Sequence, residues 1–265
     1  LKPSSQELFS ALPEEIVNHI QHLERMRQDF VANLSHELRT PLTVIHGYLE
    51  TLLDQNTPVD PKWHKIFHQM NQQTLRMENL IEDLLLLSRI ECHEHEKAES
   101  KIVVVPAMLQ TIFHVAKELS GELNHNIQLK IDNTIGLTGY TEELHSLFSN
   151  IIFNAVKYTP AHGSITIEWA ARNNQAELSV HDTGIGIATE HIPRLTERFY
   201  RVDPARSRAS GGTGLGLAIA KHVLIHHQAN MDIQSQIGKG SVFTCIFPKE
   251  RTVKLAITSI KDGNS

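Results

Sequence analysis

His36 is the residue of this sequence with the best setting for chemistry, in Phe30-Val-Ala-Asn-Leu-Ser-His-Glu-Leu-Arg-Thr-Pro-Leu42. On a helix, Arg39 and Thr40 share its face at i+3 and i+4, while Leu34, Leu38 and Leu42 hold the other side on a core. An exposed imidazole beside a carboxylate, Glu37, has its tautomer fixed and is a competent nucleophile. The zinc-protease pattern His-Glu-x-x-His fails here because Thr40 stands where the second histidine belongs. Taken alone, His36 is one surface histidine among 17. Pro41 argues for more, since a proline inside a long amphipathic helix costs about 3 kcal/mol and kinks it.

Three further constellations follow. Asn150, Asn154, Lys157 and Tyr158 fall on one helical stripe, separate from the apolar Leu144, Phe148, Ile151 and Ala155. Two amides and an ammonium on one stripe suit a hydrated divalent cation with phosphate oxygens, or form a plain solvent-facing surface. Asp182-Thr-Gly184-Ile-Gly186-Ile187 closes an alternating run in which Leu178, Val180 and Asp182 share the inward face. An inward carboxylate needs a donor, which a purine amino group would supply, though an Asp-capped turn is also common. Gly211-Gly-Thr-Gly214-Leu-Gly216-Leu217 opens a helix whose N–H groups can bind phosphate. It lacks the Gly-Lys-Ser/Thr of a Walker loop and the βαβ setting of a dinucleotide turn. Arg198-Phe-Tyr-Arg201 and a polar stretch to Ser210 lie between, with a composition suited to closing over a bound triphosphate.

The elements that position these groups change type near residue 92. Before it, apolar residues run at three- and four-residue steps from Ile16 to Leu52, and again from Trp63 through Met70, Met77, Ile81, Leu84 and Leu87. Neither helix can bury its stripe alone, so an antiparallel hairpin paired with a second copy, a dimeric four-helix bundle, is expected over 1–92. Residues 93–101 form a polar linker. Its flanking Cys92, with His93 and His95, fits no zinc spacing and reads as solvated chain.

Over 102–250 strand-like runs (Ile102–Val105, Ile127–Ile131, Ser164–Ala170, Ala176–His181, Met231–Ser235, Ser241–Phe247) alternate with helical ones (Pro106–Leu119, Thr141–Lys157, Gly214–His227). Helices on one face of a sheet make this an α+β sandwich. Residues 251–265 have no obvious partner element and are expected to form a disordered tail.

Composition narrows the function. A length of 265 residues allows about two domains with real cores. Net charge is −5, against the basic excess of nucleic-acid binders. Two cysteines far apart exclude a disulfide scaffold and suit a reducing compartment. No apolar run approaches the roughly 18 residues of a membrane span, and no signal peptide is visible.

The blocks around His36, Asn150, Asp182, Phe199 and Gly212, in this order, resemble the H, N, G1, F and G2 boxes of two-component histidine protein kinases. The resemblance covers about residues 15–248. FVANLSHELRTPLTVIHGYLE, HIPRLTERFYRVDPARSR and GGTGLGLAIAKHVLIHH are similar to the phosphate-regulon branch of that family. It implies a nucleotide-binding sandwich of the GHKL type, ATP and Mg²⁺ as cofactors, and a homodimer joined through the hairpin. His36 would take the γ-phosphoryl group and pass it to an aspartate of a response regulator, a PhoB-like receiver, with Glu37 as base or orienter and Thr40 positioning water for dephosphorylation. Asn154, assisted by Asn150, would hold Mg²⁺, while Lys157 and Arg201 contact phosphate and Tyr158 and Tyr200 line the site. Asp182 would accept from adenine, with Gly184, Gly186 and Ile187 around the ring. Gly212, Thr213, Gly214, Leu215, Gly216 and Leu217 would form the phosphate-side loop. It also implies the cytoplasmic portion of a membrane-anchored sensor, with the spans and sensor domain upstream. Another sensor kinase of the same class with a different stimulus, a GHKL-type ATPase clamp and a non-catalytic nucleotide-binding adaptor are the alternatives, and SHELRTP has no role in a clamp.

Overall fold

The computed structural model of the chain describes residue 38 and residues 42–53, 61–91, 100–202 and 213–255. His36, Glu37, Thr40, Pro41, Gly212 and the linker residues 92–99 lie outside that set. The chain divides into two compact units, Leu1–His95 and Glu96–Ser265.

In the first unit residues 42–53 (α1) and Pro61–Glu91 (α2) are helical. Leu42, early in α1, packs with Ile81 and Leu85, late in α2. Only an antiparallel pair brings an early residue of one helix to late residues of the next. The apolar stripe is covered unevenly. Ile81, Leu87 and Ile90 are buried, but Trp63, Met70, Met77 and Tyr48 are exposed. Leu38, expected on the core side, is 43% exposed, because one hairpin covers only part of the stripe.

The second unit runs β1 (Lys101–Val103), α3 (Val105–Ser120), β2 (Asn126–Ile131), β3 (Ile135–Gly139), α4 (Thr141–Tyr158), β4 (Ser164–Arg172), β5 (Gln175–Asp182), α5 (Gly216–His226), β6 (Asn230–Gln236), β7 (Gly240–Phe247) and β8 (Thr252–Lys254). A 3-10 helix spans Thr189–Arg194 between β5 and α5. Five strands form a sheet in the order β2-β4-β5-β7-β6, parallel only at β2–β4. Ile165, Ile167 and Trp169 alternate inward on β4, as do Leu178 and Val180 on β5, and all five are fully buried. Leu144, Phe148, Ile151 and Ile152 of α4 meet this inward face, where Phe148, Trp169 and Phe247 stack edge to face. Trp169 donates its indole N–H to the Ile135 carbonyl, so the largest core side chain has its polar atom satisfied.

The structure departs from the sequence reading at the second, smaller sheet, β1-β3-β8. Strand β3 was not expected. Its residues are buried almost throughout, so Ile-Gly-Leu-Thr-Gly shows no alternation to read. Strand β8 lies in the segment expected to be a disordered tail. It pairs with β3 from Ile135↔Lys254 to Leu137↔Thr252. Val105, read as strand, starts α3, with Pro106 in the first turn, where a proline needs no N–H.

Candidate functional site

Helix α4 carries two faces. Leu144, Phe148, Ile151 and Ala155 are buried against the sheet, and Asn150, Asn154, Lys157 and Tyr158 face a cavity of about 300 Å³. The helical repeat places four polar groups on one wall, as the spacing predicts. Asn150 donates from its amide to Ser146 Oγ at 3.3 Å, and Lys157 Nζ stands 5.4 Å from the Tyr158 ring centroid.

Asp182, at the end of β5, lines the same cavity. Its Oδ1 accepts the N–H groups of Gly184 (2.7 Å) and Ser241 (3.2 Å). Both of these bonds fall on Oδ1, and neither uses Oδ2. Burial raises the Asp182 pKa above the usual carboxylate value, and the two backbone donors oppose that rise. The loop after Asp182 is pinned from β6 and from the turn between β6 and β7. Gly238 N–H donates to the Ile185 carbonyl at 2.9 Å, and Ile187 N–H to Ser235 Oγ at 2.8 Å. Gly186 has φ +68°, and a Cβ there would stand 2.0 Å from the Gln236 carbonyl oxygen, so only glycine fits.

The glycine-rich loop before α5 reaches the same cavity through Thr213, Gly214, Gly216 and Leu217. Thr213 Oγ1 accepts the N–H of Leu215 at 3.2 Å, just before α5 begins. A Cβ on Gly216 would lie 2.4 Å from Asn150 Oδ1, so this glycine lets α5 approach the asparagine face of α4. Gly216→Ala is therefore expected to turn Asn150 aside and weaken ATP binding about tenfold, checked by calorimetric titration. Thermal stability should be preserved, because alanine favours helix. An affinity within about twofold of the parent would contradict that geometry.

Of the residues singled out from sequence, Asn150, Asn154, Lys157, Tyr158, Asp182, Gly186, Ile187, Tyr200, Arg201, Thr213, Gly214, Gly216 and Leu217 line the cavity together. Two do not. Leu215 is fully buried, its side chain spent on the core, and Gly184 acts behind the wall by holding Asp182. The sequence reading missed Ala155, Ile185, Leu195, Val202, Ser241 and Phe243 in the lining; the last two come from β7. For Ser241 and Phe243 the signal was Gly238-Lys-Gly-Ser241 opening a strand, but their place depends on the register Asp182↔Ser241.

The site accepts a divalent cation in chemical terms. Asn150 and Asn154 offer hard amide oxygens one turn apart, which suits Mg²⁺ that keeps most of its waters and takes its remaining ligands from phosphate.

A second polar cluster joins the start of α4 to the end of α5. Glu143, His226 and His227 bring three possible ligand atoms within 4.8 Å of one another. His227 Nε2 accepts the Tyr140 N–H at 3.2 Å, so its proton sits on Nδ1, which donates to the Val223 carbonyl at 2.8 Å. That ring keeps no lone pair for a metal. His226 Nδ1 lies 2.9 Å from Glu143 Oε2 and its ring stacks on Tyr140, which makes the cluster a tie between helices.

Residues 26–93 match the family described as His Kinase A (phospho-acceptor) domain, and residues 139–251 match Histidine kinase-, DNA gyrase B-, and HSP90-like ATPase. The chain is 55% identical over 231 residues to the phosphate regulon sensor protein PhoR of Pseudomonas aeruginosa, across 87% of this chain and 52% of that protein. It is 40% identical over 228 residues to PhoR of Haemophilus influenzae, across 86% and 53%. It thus spans about half the length of these curated relatives. Among solved structures, full-length ShkA in complex with AMPPNP has a TM-score of 0.68 at 23% identity, over 86% of this chain and 46% of that one. AdeS of Acinetobacter baumannii has a TM-score of 0.57 at 21% identity, over 82% and 98%; both likenesses concern the fold. With a phospho-acceptor domain followed by an ATPase domain, and more than half of its aligned residues shared with one PhoR protein, the chain belongs to the sensor histidine kinases.

Proposed function

We propose that the chain is the catalytic part of a phosphate-starvation sensor: it phosphorylates itself on His36 from ATP, then passes the phosphoryl group to an aspartate of a PhoB-like regulator. The observation that carries this reading is the cavity of the ATPase unit, which the asparagine face of α4 and Asp182 line together. In this reading Asp182 and the loop to Ile187 take the adenine, Lys157 and Arg201 neutralise phosphate oxygens, and Asn154 with Asn150 holds Mg²⁺. That ion would draw charge from the phosphates as the γ-phosphoryl group leaves, and the protein's part is mostly positioning. The His36 imidazole attacks the γ-phosphorus, the bond to the ADP oxygen breaks, and the ring proton passes to Glu37. Thr40, one turn on, would position the water that later releases phosphate from the regulator.

The apolar residues that one hairpin leaves exposed (Trp63, Met70 and Met77) support a homodimer that completes a four-helix bundle. Among the described residues no helix is long and apolar enough to cross a membrane. The PhoR relatives support work at the cytoplasmic side of an inner-membrane sensor, where ATP is available. The net charge of −5 speaks against nucleic acid as a partner.

Phosphotransfer profiling tests the regulator. The labelled protein, offered a panel of purified receiver domains, is expected to label a PhoB-type receiver at least about tenfold faster than the others. Equal or faster transfer to a receiver of another branch would reject the phosphate assignment while leaving the kinase reading in place.

A further inference from the structure

The 3-10 helix Thr189–Arg194 and the turn after it hold Tyr200 from several sides, and Tyr200 is part of the cavity wall. His191 Nδ1 lies 2.7 Å from the Tyr200 hydroxyl. Glu190 Oε1 stands 3.9 Å from His191 Nε2, which favours the proton on Nε2 and leaves Nδ1 to accept from the hydroxyl. The Arg194 guanidinium covers one ring face at 4.2 Å from the centroid. Arg194 is itself held by the Glu197 carboxylate, at 3.2 Å from Nε and 3.1 Å from Nη2. The backbone is fixed as well. Phe199 N–H donates to the Gly214 carbonyl at 2.9 Å, and Tyr200 N–H to the Glu197 carbonyl at 3.3 Å.

We propose that His191 is a positioning residue for nucleotide binding, holding the Tyr200 ring in the cavity wall through its hydroxyl. This rests on reading the cavity as the ATP site. His191 does not line the cavity, so it acts through Tyr200. Without the hydroxyl bond, the ring is restrained by one cation–π face and its backbone, and the nucleotide must immobilise it on binding.

The test uses the full 265-residue chain, with calorimetric titration of ATP and Mg²⁺ and autophosphorylation rates against ATP concentration. His191→Phe should raise Kd and KM about fivefold with kcat within about twofold, the size of one hydrogen bond plus one freed side chain. Tyr200→Phe should raise KM by the same factor, and the double variant should be no worse than either single one. His191→Asn, whose Oδ1 stands where Nδ1 does, should restore KM to within about twofold. Thermal melts check that each variant folds. Should His191→Phe unfold, the Tyr200→Phe and His191→Asn results decide. An unchanged KM in Tyr200→Phe, additive losses in the double variant, or a fall in kcat alone would overturn the proposal. Asp182→Asn separates it from the site reading. If that variant binds ATP normally, the cavity reading fails, whereas if it loses ATP and His191→Phe does not, only the role of His191 fails.

Discussion

Incubated with γ-labelled ATP, the chain carrying His36→Gln is expected to take up no acid-labile phosphate, a loss of at least about 10³-fold against the parent. Glutamine keeps the length and some hydrogen-bonding capacity of histidine but has no basic ring nitrogen to attack phosphorus. A phosphoryl group on imidazole is an acid-labile, alkali-stable phosphoramidate, so the treatment after labelling identifies the acceptor. ATP binding should survive in this variant, because the cavity belongs wholly to the second unit. Loss of label with ATP affinity retained would place the defect at the acceptor. Acid-labile label persisting in His36→Gln above a few per cent of the parent's, or about a 30-fold loss at most, would move the acceptor to another of the 17 histidines.

Asp182→Asn should cost about 100-fold in ATP affinity, read by titration. The substitution leaves an oxygen to accept the Gly184 and Ser241 N–H groups, so the loop keeps its shape. It replaces Oδ2 by an amide that donates, and a donor then faces the donor amino group of adenine. A purine with a 6-oxo group, such as inosine triphosphate, should lose much less. Retention of ATP within about threefold would show that Asp182 does not read the base. The wild-type carboxylate adds a pH signature. Burial raises its pKa, so binding should weaken as pH falls through a point above the usual aspartate value, where the acceptor is protonated. The stability effect has the opposite sign. A raised pKa in the folded state means the fold holds the proton more tightly, so this group stabilises most at low pH, and that contribution is lost as pH rises through the folded value.

The parts of the site that could be read from sequence are those generated by a short period. Asn150, Asn154, Lys157 and Tyr158 needed only the helical repeat, and Asp182 only the alternation of β5. Contributions that depend on pairing distant segments could not be read. Ser241 joins Asp182 because β7 lies beside β5 in a particular register, and no local pattern carries that information. The Leu215 side chain points away from the cavity for a related reason. A glycine-rich loop suggests that every residue in it faces phosphate, while the start of α5 turns Leu215 into the core. The fold divides the same way. Long strands of the five-stranded sheet alternate clearly, whereas β3 is buried nearly throughout and β8 has three residues with a partner far back in the chain. The expected kink at Pro41, the placement of Glu37 and Thr40, and the role of Gly212 fall outside the described residues.

The small sheet also sets an order of events during synthesis. Its three strands come from the beginning, the early middle and the end of the ATPase unit, with β3 between β1 and β8. Strand β3 runs directly into Tyr140 and α4, the helix that carries the asparagines. As the chain leaves the ribosome, β1 and β3 can pair early, but one edge of β3 stays open until Thr252–Lys254 emerges. Leu255 must also arrive, because its side chain covers Gly136, where a Cβ would stand 2.8 Å from Leu255 Cδ2. The helical hairpin, made of neighbours in sequence, can form well before that. A nascent chain can therefore complete its helical hairpin before its ATPase unit is finished.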